Sequence, residues 1–123
     1  MNNNQRGCLA EYLFATIAMQ NGFNVSMPLL DASPYDAIIE KDNKLYKIQI
    51  KHVSNDRKRR RNDVQVVLRR TNSAYKIEEV DFFAIYFEDL NGFFVIKNTE
   101  QRSIRLSPNG IYKNKFNNFV QFT

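Results

Sequence analysis

PYDAIIEKDNKLYKIQIKH, residues 34–52, is the stretch on which the fold turns. Two runs within it, AIIE and LYKIQIKH, are rich in β-branched and aromatic residues, and Asp42-Asn43 between them can supply the positive φ angles of a tight hairpin turn. With those two residues as the loop, Lys41 faces Lys44, Glu40 faces Leu45 and, counting back, Asp36 faces Gln49. Alternation puts Lys51 on the side of Asp36 and Gln49, and sends Ala37, Ile39, Ile48 and Ile50 to the other. One face is a core and the other a polar cluster. A three-residue loop would slip the register by one and pair Asp36 with Ile50, so the cluster requires an even loop.

Outward from the hairpin, residues 1–6 read as a loose polar tail. Gly7 to Asn21 reads as a helix closed by Asn21-Gly22. Its residues are apolar almost all round, as expected of a buried helix, with Cys8 as a core residue rather than a nucleophile. FNVSMPLL predicts a first strand ending near Pro28. After the hairpin, SNDRKRRRND holds five consecutive cations and no apolar residue, so residues 53–63 are expected to be a mobile basic loop. VQVVLRR predicts a strand with Val64, Val66 and Leu68 on one side, and TNSAYKIEEV a short helix. VDFFAIYFE is apolar on both faces, as in a central strand, and Asn91-Gly92 turns it into FFVIKN. The remainder predicts an edge strand and a terminal segment pinned by Phe116 and Phe119. No repeat or linker divides the chain, and 1–123 is expected to form a single domain.

A chain of 123 residues with one cysteine and one histidine has no disulfide and no ligand set for structural zinc. The apolar run from Cys8 to Met19 is too short to span a bilayer and contains Glu11, so a soluble, cytoplasmic protein without a membrane partner is expected. A net charge of +5 favours a polyanionic partner.

The polar face of the hairpin matches the needs of phosphodiester hydrolysis: a hard divalent cation held by oxygens, a positioned water and a compensating positive charge. Asp36 can bridge metal and phosphate, Gln49 can offer its amide oxygen, the backbone carbonyl of Ile50 another, and Lys51 can orient water. Glu11, the only charged residue between Gly7 and Leu30, needs a partner if buried, and Ala15 and Ala18 beside it would let its helix approach the hairpin closely. A metal or Lys51 would compensate it, making Glu11 a candidate fourth ligand. Arg57, Lys58, Arg59, Arg60 and Arg61 could grip phosphates beside the scissile bond, with Arg69 and Arg70 extending the patch. His52 alternates away from the cluster and is left out of it.

This order, a helix with Glu11, a strand, Asp36 heading a hairpin and Gln49-Ile50-Lys51 ending it, resembles the PD-(D/E)XK nuclease superfamily. Tyr35-Asp36, IQIK and the Tyr75 to VDFFAIY segment are similar to its group I intron-associated endonucleases over about residues 7–97. The resemblance implies a restriction-endonuclease-like α-β-β-β-α-β core, an α/β fold with a mixed central sheet. It implies a Mg2+-dependent endonuclease, with Mn2+ able to substitute, using Glu11, Asp36, Gln49 and Lys51 and leaving 5′-phosphate and 3′-hydroxyl ends. Archaeal Holliday junction resolvases share a similar N-terminal layout, so the expected partner is double-stranded or branched DNA. A double-strand cut implies a homodimer or larger homo-oligomer. Two positions depart from the pattern: Tyr35 stands where proline usually precedes the aspartate, and Gln49 replaces an acid. The intron-associated group tolerates both, and a nuclease-fold DNA-binding module without catalysis is the alternative.

Overall fold

Asn2 starts the first element. Its side chain accepts from the Gln5 N–H at 2.9 Å while the Gln5 side chain accepts from the Asn2 N–H at 2.8 Å, a reciprocal cap that lets helix α1 run over Asn3–Gln20. The computed structural model describes residues 1–54 and 63–122, and in it most of the expected loose tail is the first turn of this helix. Nor is α1 buried all round. Ala10, Phe14, Ala15 and Ala18 face the core, whereas Leu9, Tyr12 and Met19 are 40%, 65% and 57% exposed and Cys8 is exposed. A helix on one sheet buries only the stripe the sheet can cover.

Strand β1 (Asn24–Ser26) follows, then the hairpin of β2 (Ala37–Lys41) and β3 (Lys44–Val53). Asp42 and Asn43 have φ of 54° and 66°, and the ladder pairs Lys41 with Lys44, Glu40 with Leu45 and Ala37 with Ile48. The even loop and its register are those expected from the sequence. Strand β4 (Val64–Val67) precedes β5 (Phe82–Phe87) and β6 (Gly92–Lys97), and β7 is Ser103–Leu106. A five-stranded mixed sheet has the order β1-β2-β3-β5-β6, with β5 parallel to β3 and the other pairs antiparallel. The expected edge strand β7 instead pairs with β4 in a separate two-stranded ribbon.

The predicted helix between β4 and β5 does not form. Arg69 bridges to Ala74, the Arg70 N–H donates to the Ser73 carbonyl at 2.8 Å, and single turns lead to β5. Asn98, 1% exposed, sits under this segment. Its amide lies within 3.1, 3.2 and 2.9 Å of the carbonyls of Tyr75, Lys76 and Val80, and the Lys76 carbonyl also accepts from the Glu79 and Val80 N–H groups at 2.9 and 3.1 Å, so helical bonding is confined to a single turn.

Two cores flank the sheet. On one face Phe82, Ala84 and Tyr86 of β5 meet Phe14 and Ala18 of α1 with Ile48, Ile50, Phe119 and Phe122. On the other, Phe83, Ile85 and Phe87 meet Val66, Leu68, Ile104 and Leu106 of the ribbon, and Phe116 packs there against Phe94. Helix, sheet and ribbon are thus three layers. Phe116 and Phe119 pin the C-terminal segment as expected, and Phe122, 2% exposed, adds a plug that pattern alone did not single out.

Candidate active site

Ile48 and Ile50 point into the helix-side core, so Gln49 and Lys51 face the ribbon side. The parallel register sets them beside Phe83 and Ile85. Asp36 sits one residue before the ladder ends. Its N–H donates to the Ile48 carbonyl at 2.8 Å, and its Oδ2 accepts from the Ile50 N–H at 2.9 Å. In an extended strand a residue's N–H and C=O point to the same edge, so the Ile50 carbonyl is directed toward Asp36, past the last β2–β3 pair. The backbone of β3 thereby holds the carboxylate at the mouth of the hairpin.

Glu11 reaches the same mouth from α1. A cavity of about 150 Å³ is lined by Glu11, Asp31, Ser33, Tyr35 and Asp36 among others. Burial, then the charges of Asp36 and Asp31, push the Glu11 carboxyl above the usual range. The compensation by Lys51 envisaged from the sequence is not what Glu11 meets, since both charges acting on it are negative. Asp36 is also raised, by burial, against the opposing pull of the Ile50 N–H and Lys51. Lys51 is lowered by burial, with Asp36 acting the other way.

Tyr75 is the site neighbour that sequence pattern missed, because its segment reads as a helix. Its ring lies 5.7 Å from the Lys51 ammonium and 6.0 Å from the Arg70 guanidinium, and meets Phe83 edge-on at 5.8 Å. Burial and then Asp36 raise its hydroxyl, with Glu79 adding and Arg70 opposing. Asp31, an acid in the loop just before Asp36, was likewise overlooked. Arg70 is paired with Glu79 at 2.7 Å, so it enters the site as a partner of Tyr75 as well as a surface cation. Arg69 is exposed at the ribbon's end. Arg57, Lys58, Arg59, Arg60 and Arg61, and with them most of the expected mobile loop, lie outside the described residues.

Among the described residues no three His, Cys, Asp or Glu side chains gather as a metal centre. The donors expected from the sequence are two carboxylates, Glu11 and Asp36, the Gln49 amide and the Ile50 carbonyl. All four are hard oxygen donors, and the repulsion between the two carboxylates is what a divalent cation would relieve, so the residues fit such an ion. No helix among the described residues is long and apolar enough to cross a membrane.

A helix laid on a mixed sheet, with an acid heading the hairpin and a lysine at its end, defines a restriction-endonuclease-like fold. The chain belongs to the PD-(D/E)XK endonuclease family, whose family model matches residues 1–123. It is similar in structure to the bacterial homing endonuclease I-Ssp6803I, with a TM-score of 0.72 and 22% identity over 94% of this chain and 89% of that one. It is also similar to Hjc, a Holliday junction resolvase from the archaeal hyperthermophile Archaeoglobus fulgidus, with a TM-score of 0.59 and 11% identity over 89% and 88% of the two chains. No curated protein sequence compared with the chain matches it. At these identities the structural likeness speaks for the fold.

Proposed function

We propose that this nuclease is a Mg2+-dependent DNA endonuclease of homing type, cutting duplex DNA to 5′-phosphate and 3′-hydroxyl ends. The observation that carries the reading is Asp36, fixed by the Ile50 N–H at 2.9 Å, with Glu11 sharing its cavity on one side and the charge of Lys51 acting on it from the other. Glu11, Asp36, Gln49 and the Ile50 carbonyl would hold the cation, for which Mn2+ should substitute. When bound, that cation would supply Lewis acidity at the phosphate and lower the pKa of water. Lys51, steadied over the Tyr75 ring, orients the attacking water and offsets charge on the pentacoordinate phosphorus. Water adds to phosphorus, the bond to the 3′ oxygen breaks, and that oxygen leaves with a proton as the hydroxyl. One such site cuts one strand, so a double-strand cut calls for two copies of the chain.

Linear duplex is proposed over branched DNA because Tyr35 and Gln49, the two departures from the family pattern, are those that the intron-associated endonucleases tolerate. Purified protein with linear, four-way-branched and single-stranded DNA, titrated with magnesium or manganese, tests this. Cleavage of linear duplex that requires the metal and disappears in Lys51→Ala, with folding and DNA binding retained, is expected. Salt-dependent binding without nicking would make the chain a DNA-binding module instead, and cutting of branched DNA alone would make it a junction nuclease.

A further inference from the structure

The β4–β7 ribbon has a buried and an exposed side. Val66, Leu68, Ile104 and Leu106 point into the core. Outward stand Gln65 and Val67 on β4, Arg69 just beyond it, and Ser103 and Arg105 on β7, and Arg102 lines a hollow with Gln65, Val67, Arg69 and Ser103. The ladder sets Gln65 opposite Arg105 and Val67 opposite Ser103. Asp63 at the ribbon's end is met by Arg105 at 3.2 Å, and the Arg105 side chain remains 58% exposed. The Gln65 amide donates to the Ser103 hydroxyl at a long 3.4 Å. Val67, 49% exposed, is an apolar side chain in the middle of this polar row.

Amide, guanidinium, hydroxyl and a small apolar group are the side chains that base edges in the major groove recognise. Gln pairs with adenine, Arg with guanine, and an apolar group meets the thymine methyl. A two-stranded ribbon is also narrow enough to enter that groove, which is about 12 Å wide. Moreover, a cleft of about 360 Å³ joins the ribbon to the candidate site, lined by Lys51 and Ser54 on one side and Gln65 and Val67 on the other. The positive charge of the row complements a phosphate polyanion, whereas uncharged Gln65, Val67 and Ser103 at its centre add little to phosphate binding and suit base contact.

We propose that the exposed face of the β4–β7 ribbon is the sequence-reading surface for duplex DNA, with Gln65, Val67 and Ser103 at base edges and Arg69, Arg102 and Arg105 flanking them. This rests on the endonuclease reading above. Gln65 and Val67 line the same cleft as Lys51, so the bases read lie next to the phosphate attacked, and cutting position is tied to the sequence recognised.

The test is selection of cleaved sequences from a pool of random duplex DNA with magnesium, comparing wild type with Gln65→Ala, Ser103→Ala and Gln65→Lys. These side chains are exposed, so melting temperatures should stay near wild type. Gln65→Ala and Ser103→Ala should each lose roughly tenfold or more of base discrimination at one or two adjacent positions and keep it elsewhere. Gln65→Lys should shift one position from adenine toward guanine, a change that a damaged fold would not produce. Unaltered preferences in all three, or a uniform fall in binding with the sequence profile intact, would overturn the ribbon's role while leaving the nuclease reading standing. A wild type that cuts no duplex in the pool would overturn both.

Discussion

Glu11 weakens the metal-free fold. Burial and the charges of Asp36 and Asp31 raise its carboxyl, so the ionised form is less favoured folded than unfolded. The penalty is fully present above the folded pKa and vanishes as pH falls below the ordinary carboxylate value. Metal-free thermal stability should therefore rise as pH drops through the carboxylate range before general acid unfolding intervenes. Glu11→Gln should raise the melting temperature at neutral pH, flatten that dependence and reduce cleavage, as a pH series of melts and a nicking assay would reveal. An unchanged melt at neutral pH would mean the carboxylate is not strained. At Gln49 a neutral amide offers an oxygen without charge, so cation affinity should be weak until phosphate arrives. Gln49→Ala should lose cleavage, whereas Gln49→Glu should retain measurable activity and bind Mg2+ more tightly without DNA. Calorimetry on the free protein checks the second half, and near wild-type nicking by Gln49→Ala would remove Gln49 from the ligand set.

Among the elements, the segment between β4 and β5 depends most on one side chain. Asn98 holds the carbonyls of Tyr75 and Val80 from beneath, its Oδ1 accepts from the Glu100 N–H at 2.8 Å, and its own N–H reaches the Asp81 carbonyl at 3.0 Å. Asp81 in turn ties the start of β5 to β3, accepting from the Lys47 N–H at 2.7 Å, and Lys47 Nζ donates to the Glu78 carbonyl. Truncation to Asn98→Ala leaves buried carbonyls without donors and should cost about 1–3 kcal/mol in chemical denaturation. Because the same loop carries Tyr75 beside Lys51, cleavage should fall more steeply than stability alone explains. A variant as stable as wild type would show that water takes over the bonds.

The whole molecule carries its charge unevenly. Helix and sheet bury aromatic clusters, while the +5 net charge includes the run Arg57–Arg61 between the strand bearing Lys51 and the ribbon. Replacing Arg57, Lys58, Arg59, Arg60 and Arg61 by serine should weaken binding to all duplex sequences and flatten its salt dependence, because each phosphate contact releases counterions. The melting temperature should barely move, since the run has no apolar side chain to bury. An equal salt slope in filter binding would reduce the run to a solubility feature.

Local chemistry determined the hairpin. Asp42-Asn43 fixes an even loop through positive φ, period-two alternation divides Ile48 and Ile50 from Gln49 and Lys51, and the apolar run FFAIYF, residues 82–87, suits a strand covered on both faces. Asp36, Gln49 and Lys51 accordingly share one side of the hairpin by local chemistry alone. What tertiary structure decided were the contacts between segments distant in sequence. Hydropathy made α1 apolar all round, yet one sheet covers only one stripe of a helix, leaving Tyr12 and Met19 in water and bringing Glu11 to the hairpin mouth. TNSAYKIEEV reads as a helix alone, but the Arg69–Ala74 bridge holds its first half as a turn, and Asn98, 23 residues beyond Tyr75, binds the carbonyls of what is left as a single turn. The pairing of β4 with β7 is equally nonlocal: either strand would suit a sheet edge, and only the second core, closed by Leu68 and Leu106 over Phe83 and Ile85, selects their union.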